Sequence, residues 1–151
     1  MGSAEDNPLR YQRSRFTTRL PRGRLYTPSH YWLERTQEAG WQVGFTQFAT
    51  RMLGDLVEFD FEVDPDANVT RGELIGWVEG FKAVTDVFSV ADGRFGGPNP
   101  ELESQVELIG DDPYGRGWLY RINGEPDPEA VDAEGYARLL DATIDKMRGK
   151  D

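Results

Sequence analysis

Lysine is scarce in this chain, and its placement is the first chemical signal. Of 17 basic residues, fourteen are Arg and three are Lys. Lys146 and Lys150 stand in the C-terminal tail, so Lys82 is the one lysine in the first 145 residues. Arg supplies charge but stays protonated, whereas Lys can lose its proton and act as an amine nucleophile. Alone, such a lysine is most simply a solvated surface charge. Its setting, Glu79-Gly80-Phe81-Lys82-Ala83, suggests more. Strand-like runs at residues 74–78 and 84–90 flank it, and Gly80 relaxes backbone limits at a tight turn. A hairpin tip holds Lys82 in solvent while two strands fix its root. The lysine stem plus an acyl chain gives an arm of roughly 14 Å from standard bond lengths. Hairpin geometry by itself leaves both readings open.

Other chemistries are poorly supplied. There is no cysteine, which excludes disulfides, zinc-thiolate sites and cysteine nucleophiles. His30 is the sole histidine and reads as a packed or hydrogen-bonded residue, not a catalyst. No metal site and no catalytic residue is expected. The length suits one domain. No apolar run approaches the 18 or so residues of a membrane span. The start, Met1-Gly2-Ser3-Ala4-Glu5-Asp6, has neither a secretory signal nor a myristoylation signal. The expectation is a soluble, cytoplasmic monomer, or a mitochondrial matrix protein if the source is eukaryotic.

Charge is segregated. Residues 1–24 hold six Arg against Glu5 and Asp6, a balance of +4, while the rest holds 11 basic and 25 acidic residues, a balance of −14. An acidic body does not bind nucleic acid through its phosphates; it suits basic faces of other proteins. The basic head fits an extension lying against the acidic body, a polyanion-binding arm, or a transit peptide. We take residues 1–20 as that extension and 21–151 as the domain.

The elements that must position Lys82 are short. Residues 31–34 and 41–45 read as strands around a loop at 37–40. A helix follows between a Thr46 cap and a Gly54 stop, with Phe48 and Met52, and Ala49 and Leu53, paired at i,i+4. Residues 56–63 alternate, putting Val57, Phe59, Phe61 and Val63 on one face. Residues 64–70 form a turn-rich loop, and residues 126–128 close the β region. Asp132 caps a last helix whose apolar stripe is Tyr136, Leu139, Leu140, Ile144 and Met147. Trp32, Trp41, Trp77 and Trp118 are core or interface aromatics.

Five segments, in order, resemble the H protein family of the glycine cleavage system. Tyr26-Thr27-Pro28-Ser29-His30 with Trp32 is similar to its opening motif. Val43-Gly44-Phe45-Thr46, Phe48-Ala49 and Leu53-Gly54-Asp55 resemble its V-G-I-T…F-A…L-G-D segment. Residues 79–83 resemble the lipoylation motif E-S-V-K-A, with Asp86 following, and Gly93 matches a later family glycine. Asp112-Pro113-Tyr114-Gly115 and Gly117-Trp118-Leu119 resemble D-P-Y-G-E-G-W-L. Pro100-Glu101-Leu102 copies the family's P-E-L too close to Gly93; the gapless count puts Asn99 on the family Asn and Val106-Glu107-Leu108 on P-E-L. The chain departs from the pattern at Gly80-Phe81 (Ser-Val), Tyr31 (Glu), Gln47 (Asp) and Arg116 (an acid). Gly96-Gly97-Pro98 stands where the family has a regular strand; Pro cannot donate to a ladder, so that strand should be broken or at an edge.

The resemblance implies a mostly β fold, a lipoyl/biotinyl-type flattened barrel (a barrel-sandwich hybrid) with a short internal helix and a C-terminal helix. It implies a non-catalytic carrier with lipoate amide-linked to Lys82, moving the aminomethyl group of glycine among glycine decarboxylase, an aminomethyltransferase and dihydrolipoyl dehydrogenase after loading by a lipoyl ligase or transferase. Glu79 is then a ligase-recognition residue or a solvated strand charge, and Gly93 a structural turn glycine. The alternatives are a lipoyl carrier on another route (lipoyl relay or sulfur oxidation) and a non-lipoylated interaction module. A biotin carrier lacks support, since Met-Lys-Met is absent.

Overall fold

A computed structural model describes residues 7–37 and 39–149. The readings made on residues 1–6 and on Lys150 lie outside that range. In chain order the elements are β1 (Leu9–Arg13), β2 (Phe16–Leu20), β3 (Leu25–Tyr26), β4 (Tyr31–Arg35), β5 (Gly40–Phe45), α1 (Gln47–Leu53), β6 (Leu56–Phe61), β7 (Asn68–Val69), β8 (Leu74–Gly80), β9 (Val84–Phe88), β10 (Ala91–Pro98), α2 (Leu108–Asp111), β11 (Tyr120–Pro126) and α3 (Ala133–Met147).

Two antiparallel sheets make the flattened barrel, one ordered β3-β4-β5-β11-β10-β7 and the other β6-β8-β9. Val43, Phe45, Ile75, Val78, Val87, Phe95 and Ile122 lie in the dry layer associated with the two sheets, each such side chain contributing about 1.5–3 kcal/mol on burial. A second apolar cluster joins β1 and β2 to α1 and α3 through Tyr11, Phe16, Leu20, Phe48, Tyr136, Leu140 and Ile144.

The basic head folds as the β1–β2 hairpin. Phe16, Thr18 and Leu20 alternate inward while Thr17 and Arg19 face out. Arg13 forks onto Asp145 at 2.9 and 2.7 Å, and the Tyr11 hydroxyl donates to Asp141 at 2.8 Å. These pairs fasten the hairpin to the acidic side of α3.

The structure corrects four details of the sequence reading. Val57 is 43% exposed, because a bulge between Leu56 and Glu58 shifts the alternation by one residue; the face packed against the core is Leu56, Phe59 and Phe61. The 64–70 loop contains the two-residue strand β7. Gly93 stands inside β10 and not in a turn; a Cβ there would lie 1.9 Å from the Asn123 carbonyl oxygen on β11, so close strand approach is what excludes a side chain. Met147 leaves the buried stripe of α3 at the helix end, where it is 59% exposed. The expected disturbance at residues 96–98 is a register shift between Phe95 and Gly97, with Pro98 ending the strand.

Candidate functional site

The site is built from the corner between α1 and β6. The Thr46 Oγ1 accepts from Ala49 N to start α1, and Gly54 ends it at φ 74° with its N–H on the Thr50 carbonyl. That left-handed C-terminus suits glycine and turns the chain sharply into β6. The corner leaves the carbonyls of Leu53 and Asp55 pointing at the β8–β9 turn. The Lys82 N–H donates to Leu53 and the Phe81 N–H to Asp55, both at 2.9 Å, and the Gly80 N–H closes the turn on Ala83 at 2.9 Å. The tip is therefore held by bonds from outside the hairpin as well as within it.

Gly80 is needed for this fastening. A Cβ there would lie 2.2 Å from the Leu53 carbonyl oxygen, well inside van der Waals contact. The Lys82 side chain is exposed, and no salt bridge engages it among the described residues. Its stem passes Gly54, where a Cβ would stand 2.9 Å from Lys82 Cγ. Beside it Phe81 is 80% exposed and Val84 63%, an unusual display of apolar surface.

Glu79 lies on β8, half-buried, with Val84 opposite on β9 and Glu58 opposite on β6. Directly opposed like charges weaken a sheet, so this acidic pair has no evident stabilising purpose. Two residues along, on the same face, Asp60 and Asp86 flank Trp77. Gly93 is on β10, in the other sheet; the structure does not bring it to the tip.

Three depressions surround the tip that carries Lys82. On one side of α1 a cavity of about 330 Å³ lies among Tyr31, Phe45, Met52, Leu53, Ala83 and Asp86. On another, the β1–β2 hairpin contributes to a second cavity of about 330 Å³ that reaches Lys82. A third, larger hollow of about 670 Å³ runs from Lys82 to Asp55, Glu107 and Asp111. The tip thus suits an acyl-bearing lysine: an exposed amine, a rigid root with a glycine-only contact, and apolar recesses within reach of an arm of roughly 14 Å.

His30 sits behind α1. Its Nδ1 is 2.8 Å from the Tyr136 hydroxyl, its ring packs on Phe48 with centroids 4.8 Å apart, and burial lowers its pKa. It is a packed, hydrogen-bonded histidine. The departures from the family pattern also have partners. The Tyr31 hydroxyl accepts from Phe88 N at 3.0 Å, Gln47 accepts from the Thr18 hydroxyl of β2 at 2.6 Å, and Arg116 pairs with Glu101 at 2.6 Å. Asn99 is buried and donates to the carbonyls of Arg116 and Trp118, bracing the loop before β11. Reading side chains alone overlooks the Leu53 and Asp55 carbonyls, because a backbone acceptor carries no residue signature.

The two sheets, the closing helix and the lysine-bearing tip define a lipoyl/biotinyl-type domain. A sequence profile of the family described as Glycine cleavage H-protein matches residues 24–143. The chain is 34% identical to a glycine cleavage system H protein of Pseudoalteromonas atlantica, over 81% of this chain and 96% of that one. It is 37% identical to one of Mycolicibacterium gilvum, over 78% and 93%. Its fold matches the crystal structure of a glycine cleavage system H protein from Mycobacterium marinum with a TM-score of 0.72 and 31% identity, covering 81% of this chain and 99% of that one. The chain belongs to the glycine cleavage H-protein family. The β1–β2 hairpin lies ahead of the residues the profile matches, and no helix among the described residues is long and apolar enough to cross a membrane.

Proposed function

We propose that this protein is the lipoyl carrier of a glycine cleavage system, with lipoate attached through an amide to Lys82. The observation that carries the reading is the fastening of the tip: Lys82 and Phe81 are tied by their backbone to Leu53 and Asp55 while the lysine amine stays exposed. A ligase needs a fixed root and a free amine; the later enzymes need a mobile arm on a constant base. When bound, the group supplies dithiol–disulfide chemistry able to hold the aminomethyl group left by glycine decarboxylation. The chain's own part is to orient the root, display the acidic β6-β8-β9 face, and raise the effective concentration of the cargo at each active site. Glu79 fits a recognition residue for the loading enzyme, three positions before Lys82 on that face; Gly93 serves strand packing. The partners are glycine decarboxylase, an aminomethyltransferase, dihydrolipoyl dehydrogenase and a lipoyl ligase or transferase, in the cytoplasm or the mitochondrial matrix.

One observation favours a second route for the same carrier. Tyr31 stands where the family has Glu, and its hydroxyl is turned to the Phe88 backbone, so among the described residues the recess beside Ala83 has Asp86 but no second carboxylate. The experiment is intact-mass and peptide mass spectrometry of protein from its native host, with Lys82→Arg as control. One lipoyl group on Lys82, absent from the variant, supports the carrier. No modification supports an interaction module. Modified protein that fails to sustain glycine decarboxylation with the host's own enzymes moves the carrier to another lipoyl-dependent route.

A further inference from the structure

The groove beside the β1–β2 hairpin has a chemistry that the carrier reading does not use. Its apolar lining comes from Phe16 on β2, Phe48 and Met52 on α1, and Ile144 and Met147 on α3. Around this lining stand three guanidinium groups from separate parts of the chain: Arg15 at the hairpin turn, Arg51 on α1 and Arg148 at the end of α3. Arg51 lies over the Phe16 ring, 5.6 Å from its centroid. No carboxylate lines the groove among the described residues, and none of the three arginines has an ion pair there.

That is unexpected in a chain of net charge −10. Acids are near at hand on α3, but Asp141 and Asp145 are engaged with Tyr11 and Arg13. The hairpin thus divides its cations: Arg13 neutralises α3, and Arg15 adds to the groove. Across Lys82, the neighbouring hollow brings in the carboxylates Asp55, Glu107 and Asp111, which the groove lacks. Lys82 and Arg51 border both.

We propose that the hairpin-built groove is a berth for the acyl arm of Lys82 when the free end of that arm is negatively charged. The inference rests on the carrier reading and deepens it. The occupant is the arm itself, with its sulfur end as a thiolate. Phe16, Phe48 and Ile144 cover its hydrocarbon, and the three guanidiniums meet its charge. An arm ending in an amine cation is turned away by the same groups, since guanidinium keeps its charge throughout the accessible pH range. The hairpin and the end of α3 lie outside the segment matched to the family, while α1 and Lys82 lie inside it, so the berth is completed by Arg15, Phe16, Ile144, Met147 and Arg148 from beyond the matched residues.

The test begins with lipoylation by a ligase and intact-mass measurement on Lys82. The arm is reduced, and its thiol pKa is read from ultraviolet thiolate absorbance, in the native protein and in the same protein unfolded in urea. The expected result is a native thiol pKa lower by about one unit, tenfold more thiolate at a given pH, with the shift shrinking as salt rises. The combined variant Arg15→Gln/Arg51→Gln/Arg148→Gln should return the pKa to its unfolded value, and Arg94→Gln, on β10 away from the groove, should leave it lowered. Arg15→Gln alone changes only the exposed hairpin turn and should remove part of the shift, which separates the effect from misfolding. Amide exchange at residues 14–16 should slow when the arm is reduced. A lipoylated protein with an ordinary thiol pKa, or with a lowered one that survives the combined variant, overturns the berth and leaves the carrier intact. Failure to lipoylate Lys82 overturns both.

Discussion

The backbone N–H of Lys82 donates to the carbonyl of Leu53, 29 positions earlier, across 2.9 Å. One hydrogen bond thus joins the proposed attachment residue to the last residue of α1. With the neighbouring bond from Phe81 to Asp55, it makes the orientation of the tip depend on α1 and on the corner that leads into β6. The helix in turn is set by Thr46, whose Oγ1 lies 2.8 Å from the Tyr136 hydroxyl on α3. The site rests on a chain of contacts from the C-terminal helix through α1 to Lys82, most of it made by groups that do no chemistry.

The tightest link in that chain is Gly80. A methyl group there meets the Leu53 carbonyl oxygen at 2.2 Å, and backbone cannot move aside as a flexible side chain can. Gly80→Ala should therefore cost about 1–3 kcal/mol, the usual penalty for overpacking, and should displace the tip. Urea unfolding checks the first expectation. The rate of lipoyl attachment by a ligase checks the second: a variant loaded as fast as the wild type would show that the fastening does not govern recognition.

A pH dependence follows from His30. Burial lowers its pKa in the folded protein, while the unfolded chain keeps a value of about 6.5. Below that pH the unfolded state takes up a proton that the folded state does not, so stability is complete above about 6.5 and falls as the pH drops toward the lowered folded value. The slope approaches about 1.4 kcal/mol per pH unit. His30 has φ 74°, a conformation Asn tolerates, so His30→Asn is the suitable control. Urea midpoints measured between pH 7.5 and 5.5, a window set by the unfolded histidine value, should fall for the wild type and stay flatter for His30→Asn. Equal slopes would assign the loss to other groups.

Much of this architecture is legible in the residues, and the exceptions share physical causes. Thr46 and Gly54 bound α1 as their capping chemistry requires, and Asp132 caps α3 by accepting from Gly135 N. Lys82 is exposed between β8 and β9, where two strand-like runs meet. Val57 was hidden by a bulge, because one extra residue inverts a period of two without changing composition. The β1–β2 hairpin was masked by its arginines, although Phe16, Thr18 and Leu20 carry the alternation; Gln47, a departure from the family pattern, is explained only when Thr18 is found beside it. Gly93 carries the same mark in the sequence as a turn glycine, because close approach between strands excludes a side chain just as a bend does.

Docking should depend on charge carried by the β6-β8-β9 sheet. Its three strands contain no Lys or Arg, and Glu58 faces Glu79 while Asp60 and Asp86 flank Trp77. Lys82 stands at the edge of this face, and acylation of its amine would remove that charge, so a loaded carrier would present a more acidic surface with Phe81 and Val84 exposed beside it. A partner that meets it needs basic groups around an apolar socket. Attraction of that kind chiefly raises the rate of association and is screened over about 8 Å at physiological ionic strength. In a reconstituted glycine decarboxylase assay, the KM for the lipoylated carrier should therefore rise with salt while kcat stays nearly constant. Asp60→Lys, placed away from the tip and from the core, should raise KM at low salt and flatten its salt dependence. A KM indifferent to salt, in an assay that turns over, would leave the carrier role standing and assign recognition to Phe81 and the shape of the tip.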